Sequence, residues 1–281
     1  MSQALMNKTQ RSASAYGSRP PQTAVPPRGP LKGACALVRR ISRAAMVQAY
    51  EAGLMASVAA TVPLQLFGAG SDPGCGAPPP PVQAALGATG RPVLLVHGFG
   101  GTKSSWSHLA QNLRARGLTF DAITYAPFGT SIEQLAERLA AEVDHMLSRT
   151  GADKVHLVGH SLGGVVIAQA LASGRLRGKV DTVVTLGSPF GGSPWAHLMP
   201  FGAIIRALRE GSPLLRRLAS APAPDGVRWF AFTATFDMVV PGLRSVPTHA
   251  EVETVRVGGV GHLGMLLSEQ VVGRIVEALP A

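Results

Sequence analysis

A serine flanked by glycines constrains the fold of this chain more than any other feature. It stands in Gly159-His160-Ser161-Leu162-Gly163-Gly164, between the apolar run 155–158 and the small-residue run 162–172. The first run predicts a buried strand and the second a helix. Glycines two residues before and after a serine permit a sharp strand-to-helix turn that exposes the hydroxyl. We therefore predict that Ser161 is a nucleophile. A structural glycine turn is the alternative, whereas a P-loop would need a Lys-Ser/Thr pair that is missing.

Strands alternate with helices from Arg91 onward. Predicted strands cover 93–96, 120–125, 155–158, 180–186, 229–236 and 251–257, and predicted helices cover 131–149, 162–172 and 265–279. This alternation predicts an α/β fold with a mainly parallel sheet and helices on both faces.

A second glycine-rich segment, His97-Gly98-Phe99-Gly100-Gly101, directly follows the first predicted strand. Glycines there let the backbone approach a ligand. We expect the N–H groups of Phe99 and Leu162 to form an oxyanion hole. His97 is interpreted as a structural residue of this loop.

A nucleophilic serine needs a base, and the base needs an orienting acid. Among eight histidines, His262 lies in a glycine-rich loop between the last predicted strand and the last predicted helix. We predict that it is the base, with His249 as the second candidate and a helix-cap role as the structural alternative. Asp237 follows the strand 229–236 and is the predicted acid, unless it is an ordinary surface turn residue; Asp225 falls before that strand.

The chain order Ser161, Asp237, His262 is that of α/β-hydrolases. The sequence resembles the small bacterial lipases and esterases of that fold, the compact type known from bacilli. The resemblance covers 91–281 and rests on five blocks: Gly98–Gly101, Gly159–Gly164, Val184–Ser188, Asp237–Val240 and Gly261–Gly264. It implies a catalytic triad of these three residues, with Phe99 and Leu162 as oxyanion donors.

The expected activity is that of a serine ester hydrolase, a lipase or carboxylesterase, acting on a lipid or another apolar acyl ester without a cofactor or metal. An acyltransferase or thioesterase that uses the same acyl-enzyme is an alternative. A non-catalytic, membrane-associated binding module is a second one. The sequence assigns no substrate-binding residues.

The stretch 189–228 is longer than in the most compact members of that family. It contains apolar pairs interleaved with Arg206, Arg209, Arg216 and Arg217. This pattern predicts a short helical cap over the serine, with arginines facing anionic lipid. A helix packed beside the sheet is the alternative.

The first 50 residues hold eight of the 26 Lys and Arg residues and none of the 16 Asp and Glu residues. This excess explains most of the formal net charge of +10. Because it lies in a leader rich in Pro, Ser and Gly rather than on a folded face, we predict no nucleic-acid partner. Residues 1–30 are interpreted as a disordered basic arm.

Residues 31–70 are interpreted as an apolar helix, and 71–90 as a Pro/Gly-rich linker. Three interpretations of the helix remain open: association with a membrane, packing on the main domain, or an export signal with a misplaced start. A membrane-associated or secreted location is expected, with a cytoplasmic one as the alternative. Export of the chain would permit a Cys35–Cys75 disulfide, and two free thiols are equally compatible with the sequence.

Overall fold

The computed structural model describes residues 41–42, 44–56, 90–199, 202–248 and 251–280. The interpretations of residues 1–30, of Cys35 and Cys75, and of the linker up to residue 89 fall outside these ranges. Residues 41–42 and 44–56 are helical, and the helix over 44–56 is α1 here. No helix in the described ranges is both long enough and apolar enough to span a membrane.

Six parallel strands form one sheet in the order β2-β1-β3-β4-β5-β6. They are β1 (Val93–Val96), β2 (Phe120–Ala122), β3 (Val155–His160), β4 (Val180–Leu186), β5 (Arg228–Ala234) and β6 (Val252–Val257). Because every strand runs in the same direction, all six carboxyl ends lie at one edge of the sheet.

The helices that follow α1 cover the sheet and its loops. They are α2 (Ser107–Ala115), α3 (Ile132–Thr150), α4 (Leu162–Ala172), α5 (Trp195–Leu198), α6 (Ala203–Ala207), α7 (Pro213–Ser220) and α8 (Glu269–Ala278). Short 3-10 turns span Lys103–Trp106, Gly242–Ser245 and Gly264–Leu266.

Successive residues of β1 point into two different hydrophobic clusters. Leu94 and Val96 pack with α3 and α4, whereas Val93 and Leu95 pack with α2 and α8. A strand that is apolar at every position has both faces covered. The predicted parallel sheet with helices on both faces is therefore confirmed.

Two predicted elements differ most in extent from the structure. The helix predicted over 265–279 is interrupted, because Ser268 Oγ accepts the N–H of Val271 and caps α8, which begins only at Glu269. The strand predicted over 120–125 ends at Ala122. Beyond it the chain turns toward the β1 loop, where the N–H of Tyr125 donates to His97.

His156 in β3 is a buried histidine at the end of the sheet opposite the glycine-rich loops. Its Nε2 donates to the carbonyl of Pro280 at 3.1 Å, and its Nδ1 lies 3.6 Å from Asp181 Oδ2. Burial lowers the pKa of His156 below 6.5, although the carboxylate of Asp181 acts in the opposite direction. His160 has a lowered pKa too, again chiefly because it is buried.

These histidines make stability depend on pH. The unfolded chain takes up their protons near pH 6.5, before the folded chain does, so stability falls as pH decreases below that value. We expect His156→Gln to reduce the slope of unfolding free energy against pH by up to about 1.4 kcal/mol per pH unit. Urea titrations between about pH 5 and 7 measure this slope.

The control is His145→Gln, because His145 is exposed on α3. It should leave the slope unchanged. An equal slope in wild type and His156→Gln would contradict the buried-histidine explanation.

Candidate active site

The candidate residues lie just beyond the carboxyl ends of four strands. Phe99 follows β1, Ser161 follows β3, Asp237 follows β5 and His262 follows β6. Between them, the end of β4 continues into Gly187. In open parallel sheets this edge is where ligands bind.

Ser161 occupies the turn between β3 and α4 with an unfavourable backbone conformation. Its φ is 51° and its ψ is −120°, and it is the one described residue other than glycine with a positive φ. Its N–H donates to the carbonyl of Leu186 at 2.9 Å. Glycine at position 163 allows α4 to pack against the end of β1, because a Cβ at that position would overlap the carbonyl of Val96. Contacts with the ends of β1 and β4 therefore keep Ser161 in this strained conformation.

Asp237 and His262 form a buried pair. The Nδ1–H of His262 donates to Asp237 Oδ2 at 2.9 Å. The other carboxylate oxygen accepts the N–H groups of Val239 at 2.9 Å and Val240 at 2.7 Å. Three donors therefore fix the carboxylate, and the carboxylate fixes the imidazole tautomer with the proton on Nδ1. The Nε2 atom is left as the basic nitrogen.

His160 links the serine turn to the histidine loop. Its Nε2–H donates to the carbonyl of His262 at 3.1 Å, and the two ring centroids are 4.8 Å apart. Burial lowers the pKa of His160 well below its usual range, and the nearby His262 and His97 lower it further. A neutral His160 keeps the loop of His262 beside the turn that carries Ser161.

The β1 loop lies against the same turn. A Cβ added at Gly98 would come within 3.0 Å of the Ser161 Cβ. Phe99 follows directly, and its ring packs edge-on against Phe128 at 5.4 Å. Leu162 is the first residue of α4, so its N–H has no acceptor within the helix. The two expected oxyanion donors thus belong to adjoining segments.

His97 is bonded to its own loop and to the segment after β2. Its Nδ1–H donates to the carbonyl of Gly98 at 2.9 Å, and its Nε2 accepts the N–H of Tyr125 at 3.4 Å. Its ring stacks on that of Tyr125, whose hydroxyl donates to the His97 carbonyl. Burial raises the pKa of Tyr125, so this hydroxyl remains a donor. These contacts agree with a structural role for His97.

The segment predicted as a cap forms α5, α6 and α7. Buried side chains of α6 and α7 belong to the cluster that contains α3 and α4. On the other side, Trp195 Nε1 donates to the carbonyl of Met238 at 3.0 Å, and Ser193 Oγ donates to that of Val239 at 2.6 Å. The segment therefore packs against the cluster that contains α3 and α4 and holds the loop of Asp237.

Three of the cap arginines bond to the protein. Arg209 donates to the carbonyls of Ala196 and Met199, and Arg216 to that of Gly211. Arg217 pairs with Glu133 of α3 at 3.1 Å.

A cleft between α4 and α7 is separate from these residues. Ala168, Leu171, Phe190, Leu218, Val227 and Trp229 are among its lining residues. It adjoins the carboxyl-terminal half of α4, whereas Ser161 precedes the first residue of that helix. Its lining includes none of Ser161, Asp237 and His262.

Two further candidates from the sequence remain, His249 and Asp225. His249 lies outside the described residues, and Asp225 is exposed in the loop before β5. Among the residues that the structure describes, no three His, Cys, Asp or Glu side chains are arranged to hold a metal ion.

Sequence reasoning missed two residues of α1 at this site. Gln48 contacts the carbonyl of Phe236, and Glu51 contacts the N–H groups of Leu263 and Gly264. The residues of α1 that are at least partly buried stand at positions 44, 47, 48, 51, 54 and 55. This three- and four-residue spacing was the available signal for a packed helix.

A parallel sheet between helices, with a strained serine turn and a buried Asp–His pair at its carboxyl edge, defines the class of α/β hydrolases. A family model of the alpha/beta hydrolase fold matches residues 91–241, more than half of the chain. The chain belongs to this family, as its motifs predict.

Curated relatives include two triacylglycerol lipases. That of Pseudarthrobacter phenanthrenivorans is 33% identical over 120 residues, which are 40% of this chain and 37% of the lipase. That of Burkholderia plantarii is 32% identical over 120 residues, 40% of this chain and 33% of the lipase. The matches thus cover well under half of either lipase.

Among solved structures, the mature form of the Bacillus licheniformis lipase BlEst2 is similar with a TM-score of 0.61. The match covers 69% of this chain and 94% of that lipase at 19% identity. At this identity the likeness establishes the fold.

Gly187 connects β4 to the Asp–His pair. Its φ is 55°, and an added Cβ would come within 2.9 Å of Asp237 Oδ2 and 3.0 Å of His262 Nδ1. We expect Gly187→Ala to separate the pair. The hydrogen-bonded Nδ1–H of His262 should then lose its downfield signal in proton NMR.

The control is Gly273→Ala in α8. Its Cβ would meet no atom within 4 Å, and its φ is not in the left-handed region. This change should preserve the signal and leave stability equal or up to about 1 kcal/mol higher. An intact signal in Gly187→Ala would contradict the steric argument.

Proposed function

We propose that this protein is a serine ester hydrolase that cleaves apolar acyl esters through an acyl-enzyme. The observation that carries the proposal is the buried Asp237–His262 pair beside the strained Ser161 turn. Such a constellation of a held hydroxyl, an oriented imidazole and a buried carboxylate is what acyl transfer requires.

In the first half of the reaction, His262 Nε2 takes the proton of Ser161 Oγ as this oxygen bonds to the ester carbonyl carbon. The carbonyl oxygen becomes an oxyanion, which the N–H groups of Phe99 and Leu162 stabilise. When the carbon–oxygen bond to the alcohol breaks, His262 returns the proton to the departing alcohol. The acyl group remains on Ser161.

In the second half, water takes the place of the alcohol. His262 accepts one of its protons, the hydroxyl oxygen bonds to the acyl carbon, and the proton passes to Ser161 Oγ as the acid leaves. Asp237 holds the Nδ1–H and stabilises the imidazolium that forms twice in each turnover.

The surroundings of the acid and base loops favour an apolar substrate. Met238, directly after Asp237, is 60% exposed, and Leu198 of α5 is 73% exposed. We define an apolar rim by Trp195, Leu198, Met199, Met238 and Leu267, all exposed large side chains on α5, directly after it or next to the two loops. The triacylglycerol lipases among the relatives also support a lipid or other apolar acyl ester. A membrane or emulsion surface is the corresponding proposed partner.

The nucleophile is tested by Ser161→Ala. We expect hydrolysis of p-nitrophenyl esters to fall by at least about 10³-fold, because only oxyanion and binding contributions remain. Asp237→Asn should lower kcat by about 10²–10⁴-fold through the wrong tautomer. A fluorophosphonate should label the wild type and not Ser161→Ala.

The matched control is Ser148→Ala on the exposed face of α3, which should leave turnover and labelling unchanged. Full activity of Ser161→Ala would refute the mechanism. Product analysis with a competing alcohol identifies the final acceptor. Mostly free acid supports a hydrolase, whereas mostly transferred ester favours the acyltransferase alternative.

The apolar rim is tested by Met238→Ser and Leu198→Ser. If the rim contacts the acyl chain, kcat/KM for long-chain esters should fall by about 5- to 20-fold, equivalent to roughly 1–2 kcal/mol of lost apolar contact. The acetate ester should be affected less than about two-fold.

Met238→Leu, which keeps an apolar side chain, is the control and should retain the wild-type chain-length profile. Equal losses for acetate and long-chain esters in the Ser variants would contradict an acyl-chain contact. They would point to displacement of the Asp237 loop instead.

A further inference from the structure

The helix α1 lies outside the region that the family model matches, yet it contacts both catalytic loops. It precedes the matched region 91–241 by more than 30 residues. It nevertheless belongs to the same compact unit, Ile41–Ala281. Its inward side presents Val47, Leu54 and Met55 as partly buried apolar residues, and Gln48 and Glu51 lie between them. The helix therefore places two polar side chains in an otherwise apolar contact.

Glu51 binds the loop of His262. Its side chain bears a carboxylate, yet the residue is only 6% exposed. Oε2 accepts the N–H of Leu263 at 2.9 Å, and Oε1 accepts that of Gly264 at 2.6 Å. These are the two residues after His262. A buried carboxylate needs such donors, and this one receives both from the loop of the base.

The loop is shaped to receive this side chain. A Cβ added at Gly261 would overlap the Glu51 Cγ, and one added at Gly264 would come within 2.7 Å of Oε1. Neither glycine has a left-handed φ. The contact with Glu51 is therefore the steric reason for glycine on both sides of His262.

Gln48 makes the second contact, to the loop of the acid. Its Nε2–H donates to the carbonyl of Phe236 at 3.1 Å, and Phe236 directly precedes Asp237. The N–H of Phe236 donates in turn to the carbonyl of Val260 at 3.2 Å. One helix thus holds the residue before the acid and the two residues after the base.

We propose that Glu51 and Gln48 are positioning residues for the Asp237–His262 pair, so that α1 is a functional part of the active site. The proposal rests on the ester hydrolase function above. Glu51 holds the His262 loop through two charge-assisted hydrogen bonds, and Gln48 holds the end of the segment that carries Asp237. Neither residue contacts the reacting atoms.

The decisive variant is Glu51→Gln in the full chain. The amide has a similar shape, but its NH2 group faces an N–H where an acceptor stood. A small displacement of a catalytic group lowers the rate of the chemical step more than it lowers substrate binding. We expect kcat to fall by about 10- to 100-fold, with KM changed by less than about two-fold. Glu51→Asp retains the carboxylate on a side chain that is one methylene shorter, and it should lower kcat less than Glu51→Gln does.

Hydrogen exchange followed by mass spectrometry gives a readout that does not need activity. Peptides covering 261–267 should exchange at least about 10-fold faster in Glu51→Gln than in wild type, because the amides of Leu263 and Gly264 lose an acceptor. Glu253→Gln is the matched control, since Glu253 is an exposed carboxylate on β6. It should change neither exchange nor kcat.

A second variant keeps the test valid if Glu51→Gln does not fold. Gln48→Ala removes only one partly exposed amide, and it should lower kcat by about 3- to 10-fold with KM unchanged. Wild-type kcat in both variants, or a loss in Glu51→Asp as large as in Glu51→Gln, would overturn the proposal.

The two proposals fail in different ways. If the protein hydrolyses no ester, but its His262 loop exchanges faster in Glu51→Gln, the ester hydrolase proposal is refuted. The conclusion that α1 holds the His262 loop is then retained. A chain that hydrolyses esters, but whose exchange and kcat are unchanged in Glu51→Gln, retains the hydrolase and refutes the positioning role.

Discussion

The backbone strain at Ser161 is the constraint on which the site depends. A non-glycine residue with φ of 51° persists only where its surroundings hold it, at a cost of roughly 1–3 kcal/mol. Here the N–H of Ser161 is bonded to the end of β4, and α4 packs closely on the end of β1 at Gly163. The sheet therefore supplies the stability that keeps one hydroxyl at the turn.

A chain of short contacts joins this turn to Asp237 and His262, the other two candidate residues. His160, next to Ser161, donates to the carbonyl of His262, and His262 donates to Asp237. Contacts from α5 on one side and from α1 on the other hold the two loops. Loops that bear catalytic groups are mobile unless such contacts fix them. The candidate site is therefore assembled from segments that lie more than 200 residues apart in the sequence.

Local patterns were sufficient to predict most of the fold. Strand β4 and helix α4 have the predicted bounds, because a continuous apolar run and a small-residue run identify them directly. The C-terminal helix was predicted too long, because its apolar spacing continues across Leu267 and Ser268 while a cap at Ser268 starts a new helix. Apolar periodicity indicates which face of a helix is buried. It does not reveal a break in the helix when the residues before and after the break bury the same face.

The sequence by itself determined the mainly parallel sheet, the sharp serine turn and the order of the three candidate residues, since each was identified from local motifs and local apolar runs. It also placed Phe99 and Leu162 at the ends of β1 and β3. Only the tertiary structure decided that His160 supports the His262 loop and that Glu51 and Gln48 of α1 reach both loops. Each of these contacts joins a side chain to a backbone group that is distant in the sequence. Every residue type carries the same backbone groups, so the sequence does not show which residue is the partner.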